Sequence, residues 1–353
     1  MAWTRRDFLK RSCCTAAAGV AAASFSRFGL MNAMAQTSSQ DYKALVCVFM
    51  FGGNDCNNLV VPLSSADYAA YQSTRAVLAL PQSNLLAVTP PSMGAPFGFH
   101  KKMAEIQALF TGGQAALLAN VGTLVKPTTR NDLQHGQATL PENLFSHADQ
   151  QTQMQTAAFK GGSQTGWAGR TADKIQAIYG GNFPITISLA GTNIFCEGLV
   201  ARAIQSSGDP TQLLTGFNGS SEDDARMNAF QNLLTFDTGL SLIQSASATT
   251  QNALRDSKTL ADAIGGATPL ATMFPKTGLG QQLHQVAQII SVRAALGVQR
   301  QIFFVSIGGF DTHSSQLPIQ DALYSQMSPA MAAFYQATRR IGSRTAGHDL
   351  YSF

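Results

Sequence analysis

Lys43 to Pro62 reads KALVCVFMFGGNDCNNLVVP, and this stretch decides the fold. Ala44 to Phe51 is one unbroken apolar run of eight residues holding two valines and two phenylalanines. That length and content suit a strand buried on both faces, as in a parallel sheet. Gly52-Gly53 stop the run, and Asn54-Asp55 follow at once. Ligands of open α/β sheets bind in the crevice beyond the carboxyl ends of the strands. Asp55 falls there by position, and the glycine pair lets another backbone or an ion come close. The same four residues also read as a plain turn. An echo late in the chain favours a site: Gln301 to Asp311 is QIFFVSIGGFD, again an apolar run and then Gly-Gly-X-Asp.

Outward from the first strand, Ser64 to Ala79 has mixed helical spacing around Tyr68 and Tyr71, and Asn84 to Phe99 reads as a proline-rich loop. Phe97-Gly98-Phe99-His100 opens a predicted helix through Phe110, with Met103, Ile106, Leu109 and Phe110 on its apolar face. Gly112-Gly113 ends it. Ala115 to Val121 reads as a second short strand, so the opening is strand, helix, strand, the mark of a parallel sheet.

Gly122 to Ser146 is a polar loop longer than most connections, which marks it as a functional candidate. It runs into Phe145-Ser146-His147-Ala148-Asp149-Gln150. Ser146 reads as the N-cap of a helix from His147 to about Ala158, and Ser-X-X-Asp is close to a capping box. The same position suits chemistry. A helix N-terminus favours negative charge, so the Ser146 oxygen could attack a phosphorus or sulfur centre and the resulting anion would be held there. Asn54, His147 and Asp149 are supporting polar contributors.

Further on, Gly161 to Gly169 is a glycine-rich connection with Trp167 packed on its edge, and Ala168 to Ile178 reads as helix. Phe183 to Leu189 is a third apolar strand. Ser206 to Gly266 is rich in Ser, Gln, Asn, Ala and Thr, with helical spacing over 222–234 and 239–263. It reads as a helical insertion over the sheet's edge or, from its polar content, as a flexible segment. Gly278 to Gly297 is the clearest amphipathic helix, and the strand Gln301 to Ile307 follows it. Asp311-Thr312-His313 then stands just past that strand. If the two Gly-Gly-X-Asp strands are neighbours, Asp55, Asp311 and His313 converge. Oxygen and nitrogen ligands of this mix suit Zn, Mn or another divalent ion. Such an ion would polarise a phosphoryl oxygen and lower the pKa of a bound water or serine.

The N-terminus carries an address. Thr4-Arg5-Arg6-Asp7-Phe8-Leu9-Lys10 fits the twin-arginine export signal. An alanine-rich apolar region and Ala33-Met34-Ala35 complete a cleavable segment over residues 1–35. The expected partner is the twin-arginine export machinery, and the expected location is periplasmic or extracellular. The net charge of +4 lies wholly in this segment, where Arg5, Arg6, Lys10, Arg11 and Arg27 stand against Asp7. The remainder is neutral and holds no basic cluster, which argues against a nucleic-acid partner. It has no apolar stretch long enough to span a membrane after cleavage. Cys47, Cys56 and Cys196 are too few and odd in number for a disulfide framework.

FGGND, GFH, FSHADQQ, TGWAGR, GLGQQL and FFVSIGGFDTHSSQ, in that order after a twin-arginine signal, resemble the domain of unknown function 1501 family. The likeness runs from about Lys43 to about Thr338. That family is in turn similar to the alkaline phosphatase and sulfatase superfamily. The resemblance implies a three-layer α/β/α sandwich, a mostly parallel sheet and a two-metal site at the strand ends. It matches Asp55 to the superfamily's early aspartate, Ser146 to its nucleophile, and Asp311 and His313 to later metal ligands. Here one residue separates that last pair, where phosphatases have a longer spacing. Family members carry a further strand with a Phe-Gly-Arg-type motif and then Asp-His-Gly, and this chain stops at Phe353 with neither.

Residues 36–353 are therefore expected to form one α/β domain, incomplete at its C-terminus. A helix from Gln320 to Thr338 is expected to lack a strand partner and to expose Met331 and Phe334. Low solubility and little turnover follow from the same expectation. The functional expectation is an exported metal-dependent hydrolase acting on small phosphate or sulfate esters. The alternative is an exported binding or surface-associated protein of the same fold without chemistry. A redox protein fits less well, because the chain lacks a GxGxxG fingerprint and a cysteine framework.

Overall fold

The computed structural model describes residues 42–160, 162–211, 220–236 and 239–344. The twin-arginine segment and its cleavage site lie outside the described residues. The first strand is β1 (Lys43–Met50), buried over its first half and half-buried over its second. A 3-10 turn, Cys56–Asn58, leads into β2 (Val60–Pro62) and helix α1 (Ser65–Arg75). Ser64 caps α1 by accepting a hydrogen bond from the Asp67 N–H, as its position before the first turn favours.

Next come β3 (Leu85–Val88), β4 (Phe97–His100) and α2 (Ala104–Thr111). Phe97 to His100 is thus a strand and not the opening of a helix. It is the centre of a small antiparallel sheet of order β2-β4-β3. Gly98 makes this fit: a Cβ there would lie 2.8 Å from the Leu85 Cβ. The period-two alternation over four residues was too short to stand out beside the helical spacing that follows it. Ala115 to Val121 is not a strand. It runs as irregular chain with Leu117, Leu118 and Val121 exposed.

The middle of the chain supplies α3 (Arg130–Gln134), α4 (His147–Thr156), α5 (Trp167–Tyr179), β5 (Thr186–Ser188) and β6 (Ala203–Gln205). Two helices follow, α6 (Ser221–Thr235) and α7 (Ser241–Gly265), and they pack on each other. Arg202 next to β6 holds Asp256 of α7 at 2.6 Å, and Leu260 of α7 is fully buried in the main core. The chain ends through α8 (Gly278–Ser291), β7 (Arg300–Ile307) and α9 (Gln316–Arg344).

The fold is α/β, and its central sheet has four parallel strands in the order β1-β7-β5-β6. Alternate residues of β7 feed two apolar clusters. Phe303 and Val305 join Val46 of β1 with Leu283, Val286, Ile289 and Ile290 of α8. Ile302 and Phe304 join Leu45 with Ala168, Ala172 and Ile175 of α5. This is the period-two rule of a strand covered by helices on both faces. Each of the buried α8 side chains contributes about 1.5–3 kcal/mol by leaving water.

α9 lies along α8 and α2. Phe334 is buried at 4 % exposure, and Met331 packs against the main core. The expected bare face is absent because other helices cover it, where the sequence reading looked for a strand. Ser328 of α9 ties α2 down from outside. Its Oγ accepts from the Ile106 N–H at 3.2 Å and donates to Glu105 at 2.8 Å.

Candidate functional site

Two Gly-Gly-X-Asp loops meet at the carboxyl end of the β1–β7 pair. The Phe51 N–H donates to the Ile307 carbonyl at 2.9 Å, and the Phe310 N–H donates back to the Phe51 carbonyl at 3.2 Å. Gly52 has φ +101°, and a Cβ there would collide with the backbone nitrogen of Asp311. Glycine at 52 therefore answers both a backbone conformation and a close approach. The expected neighbourhood of the two motifs is present in the structure.

The two aspartates behave differently. Asp55 is committed to structure. Its Oδ1 accepts from the Asn57 N–H at 3.1 Å and caps the 3-10 turn. Its Oδ2 pairs with Arg75, the last residue of α1, and accepts from Gln316 Nε2 at 2.6 Å. Both carboxylate oxygens thus have partners. Asp311 stands open at 47 % side-chain exposure. Its Oδ1 lies 2.9 Å from His313 Nε2 and 3.7 Å from His147 Nε2.

His147 comes from the other predicted element. It is the first residue of α4, and a Cβ on Gly53 would lie 3.7 Å from its ring. Ser146 is the N-cap of α4, as its sequence suggests, and its Oγ accepts from the Asp149 N–H at 3.3 Å. Asp149 takes part through this backbone group. The start of α4 is therefore carried to the paired loops by His147, which the sequence reading ranked only as a supporting residue. Among the described residues, no group of three or more His, Cys, Asp or Glu side chains is arranged so that it could hold a metal ion.

Asn54 faces away from that trio. Its Oδ1 accepts from the Tyr324 hydroxyl at 2.6 Å and from Gln320 Nε2 at 3.4 Å. Gln316, Gln320 and Tyr324 are one face of α9 at helical spacing, and all three hold the first Gly-Gly loop. Burial pushes the Tyr324 hydroxyl above its ordinary pKa, against the opposing hydrogen bond with Asn54. The His100 ring meets Tyr324 edge-on at 5.0 Å. His100 Nδ1 accepts from the Lys102 N–H at 3.1 Å, which leaves the proton on Nε2 to face Asp321 Oδ1 at 3.0 Å. Burial lowers the His100 pKa, with Asp321 pulling the other way. Sequence reading missed Arg75, His100, Gln316, Gln320 and Tyr324. The four-residue spacing of Gln316, Gln320 and Tyr324 was the one available signal.

Fold and site together define an α/β protein with a parallel sheet whose adjoining strand ends carry glycine-framed polar loops. The chain belongs to the family described as protein of unknown function (DUF1501), whose model matches residues 42–343. No curated protein and no solved structure matches it.

Proposed function

We propose that this chain is an exported hydrolase of small phosphate or sulfate esters that works with a divalent ion, Zn or Mn. One observation carries the reading: the helix that Ser146 caps brings His147 to Asp311 and His313, where the two Gly-Gly-X-Asp loops abut. One carboxylate and two imidazoles are donor types that such an ion takes, and binding it would require the three side chains to turn towards one point. When bound, it would act as a Lewis acid toward a phosphoryl or sulfuryl oxygen. Asp55 fits less well than the sequence suggested, because its oxygens are taken by Arg75, Gln316 and the turn.

In this reading Ser146 is the nucleophile. Its oxygen bonds to phosphorus or sulfur, the ester oxygen leaves as the alcohol with a proton, and water then frees the serine. The N–H groups at the start of α4 favour the anion that forms. The resemblance to the alkaline phosphatase and sulfatase superfamily supports this assignment and the three-layer sandwich that goes with it. Residues 1–35 supply the export step, and removing them should leave a chain that begins at Gln36, read by mass spectrometry of the exported protein.

The test has two arms. Titration calorimetry with Zn and with Mn should give a saturable site that Asp311→Ala and His147→Ala both weaken at least tenfold. Chromogenic phosphate and sulfate monoesters should then turn over with the ion, and Ser146→Ala should abolish this. Ion binding without turnover on any ester would favour the second reading, a non-catalytic exported binding protein. The saturation of Asp55 by structural partners is the observation on that side.

A further inference from the structure

Among the described residues β1 is an edge strand, paired with β7 on one side only. The N–H groups of Lys43 and Phe51 donate to the Gln299 and Ile307 carbonyls, and Lys43 is in register with Arg300. With a period of two, the odd-numbered residues of β1 face β7. Ala44, Val46, Val48 and Met50 turn their N–H and C=O groups to the other edge. Among the described residues no strand pairs with that edge. Val46 is 1 % exposed, so water cannot satisfy those groups freely. A buried, unpaired backbone group is costly.

An apolar groove of about 210 Å³ lies against the second half of β1. Val48 and Met50 of β1, Phe110 of α2 and Met331 of α9 line it, and so do Ala115, Ala116 and Leu117. The segment that follows α2 therefore already touches the groove. Its remaining apolar residues do not: Leu118 is 82 % and Val121 63 % exposed. The run Ala115–Val121 is apolar apart from Asn120, and the connection from β1 to it passes through β2, α1, β3, β4 and α2. Strand, crossover helix, parallel strand is the usual way to extend such a sheet.

We propose that Ala115–Val121 is a strap that closes onto the free edge of β1 as a fifth parallel strand. Closure turns Ala119 and Val121 to the groove beside Leu117, turns Leu118 to the opposite face of the sheet, and pairs the open backbone groups of Val46 and Val48. It also sets Gly122, where the loop to Ser146 starts, beside the carboxyl end of β1 and the Asp311 cluster. The inference concerns the sheet and stands whether or not the site hydrolyses esters.

Residue-resolved hydrogen–deuterium exchange on the full chain tests it. The Val46 and Val48 amides, and every second amide of 115–121, should exchange on the order of a hundredfold more slowly than in an unstructured peptide. Exchange of 115–121 at unstructured rates, while β7 stays protected, overturns the proposal. Leu118→Asp gives a second reading. In the open arrangement this side chain lies in water, and the substitution leaves the melting temperature unchanged. Closure predicts a lower melting temperature and faster exchange at Val46 and Val48. An unchanged melting temperature overturns the proposal as well.

Discussion

The loops Gly52–Asp55 and Gly308–Asp311 share one pattern and adjoin each other on neighbouring strands, yet they do opposite work. Asp55 closes its own turn and anchors α1 and α9 to the sheet. Asp311 points outward between two imidazoles. The motif sets where each carboxylate stands, at the end of a parallel strand. What lies opposite decides its use. Arg75 and Gln316 face the first, and His147 and His313 face the second. A repeated motif is thus evidence for a shared place and no evidence for a shared role.

The sharpest way to break the comparison is at the glycines. Gly52→Ala should destabilise the fold by on the order of 3 kcal/mol in urea unfolding, because it meets the Asp311 backbone as well as a strained φ. Gly309, the positive-φ glycine of the other loop at φ +100°, would place a Cβ no closer than 3.5 Å from Leu323. Gly309→Ala should therefore cost about 1 kcal/mol, from backbone strain alone. Equal effects at the two positions would mean that the loops are not locked as described.

The next effect is smaller. Asp55→Ala strands the Arg75 guanidinium, whose Nε already lacks a partner, and the Gln316 amide. The pair is only about one-fifth exposed. A loss of about 1–2 kcal/mol is expected, with ion binding at Asp311 retained. Loss of ion binding on this substitution would restore Asp55 as a ligand.

Acid should also weaken the support of the first loop. The folded pKa of His100 lies below its unfolded value, so the unfolded chain binds more protons in that interval. Stability contributed by neutral His100 is present above about pH 6.5 and is lost as pH falls towards the folded value. His100→Gln should flatten this part of the stability-against-pH curve, measured by urea midpoints from pH 8 to pH 5. The smallest effect on stability is expected at the open loop. Asp311→Ala should shift stability by less than about 0.5 kcal/mol, because its ion pairs are exposed. It should nevertheless remove the ion site.

The parallel pairing of β1 with β7 was legible because both are long apolar runs stopped by the same glycines. α8 was legible because its apolar residues keep one helical stripe over its whole length. β4 was not, since four residues with one alternation cannot outweigh a helix next door. The partners of Asp55 were hidden for another reason. Arg75 and Gln316 lie 20 and 261 residues away, and no local pattern encodes such a contact. Ser146 and His147 were found through capping chemistry, yet that chemistry could not tell which of the two would face Asp311. The burial of Phe334 was misjudged because a helix face can be covered by helices, and α2 is far from α9 in sequence.

The pairing of the first strand with the last also sets a clock on synthesis. Tyr42, at the mouth of β1, donates to Gln301 of β7, 259 residues later. A ribosome adding 5–20 residues per second needs roughly 13–50 s to cover that distance. During that time the most apolar strand of the sheet has emerged without its ladder partner. Nascent β1 is then a sticky segment that something must shield. The sheet can be completed only once β7 has been made, so chaperone supply should govern the yield of folded protein.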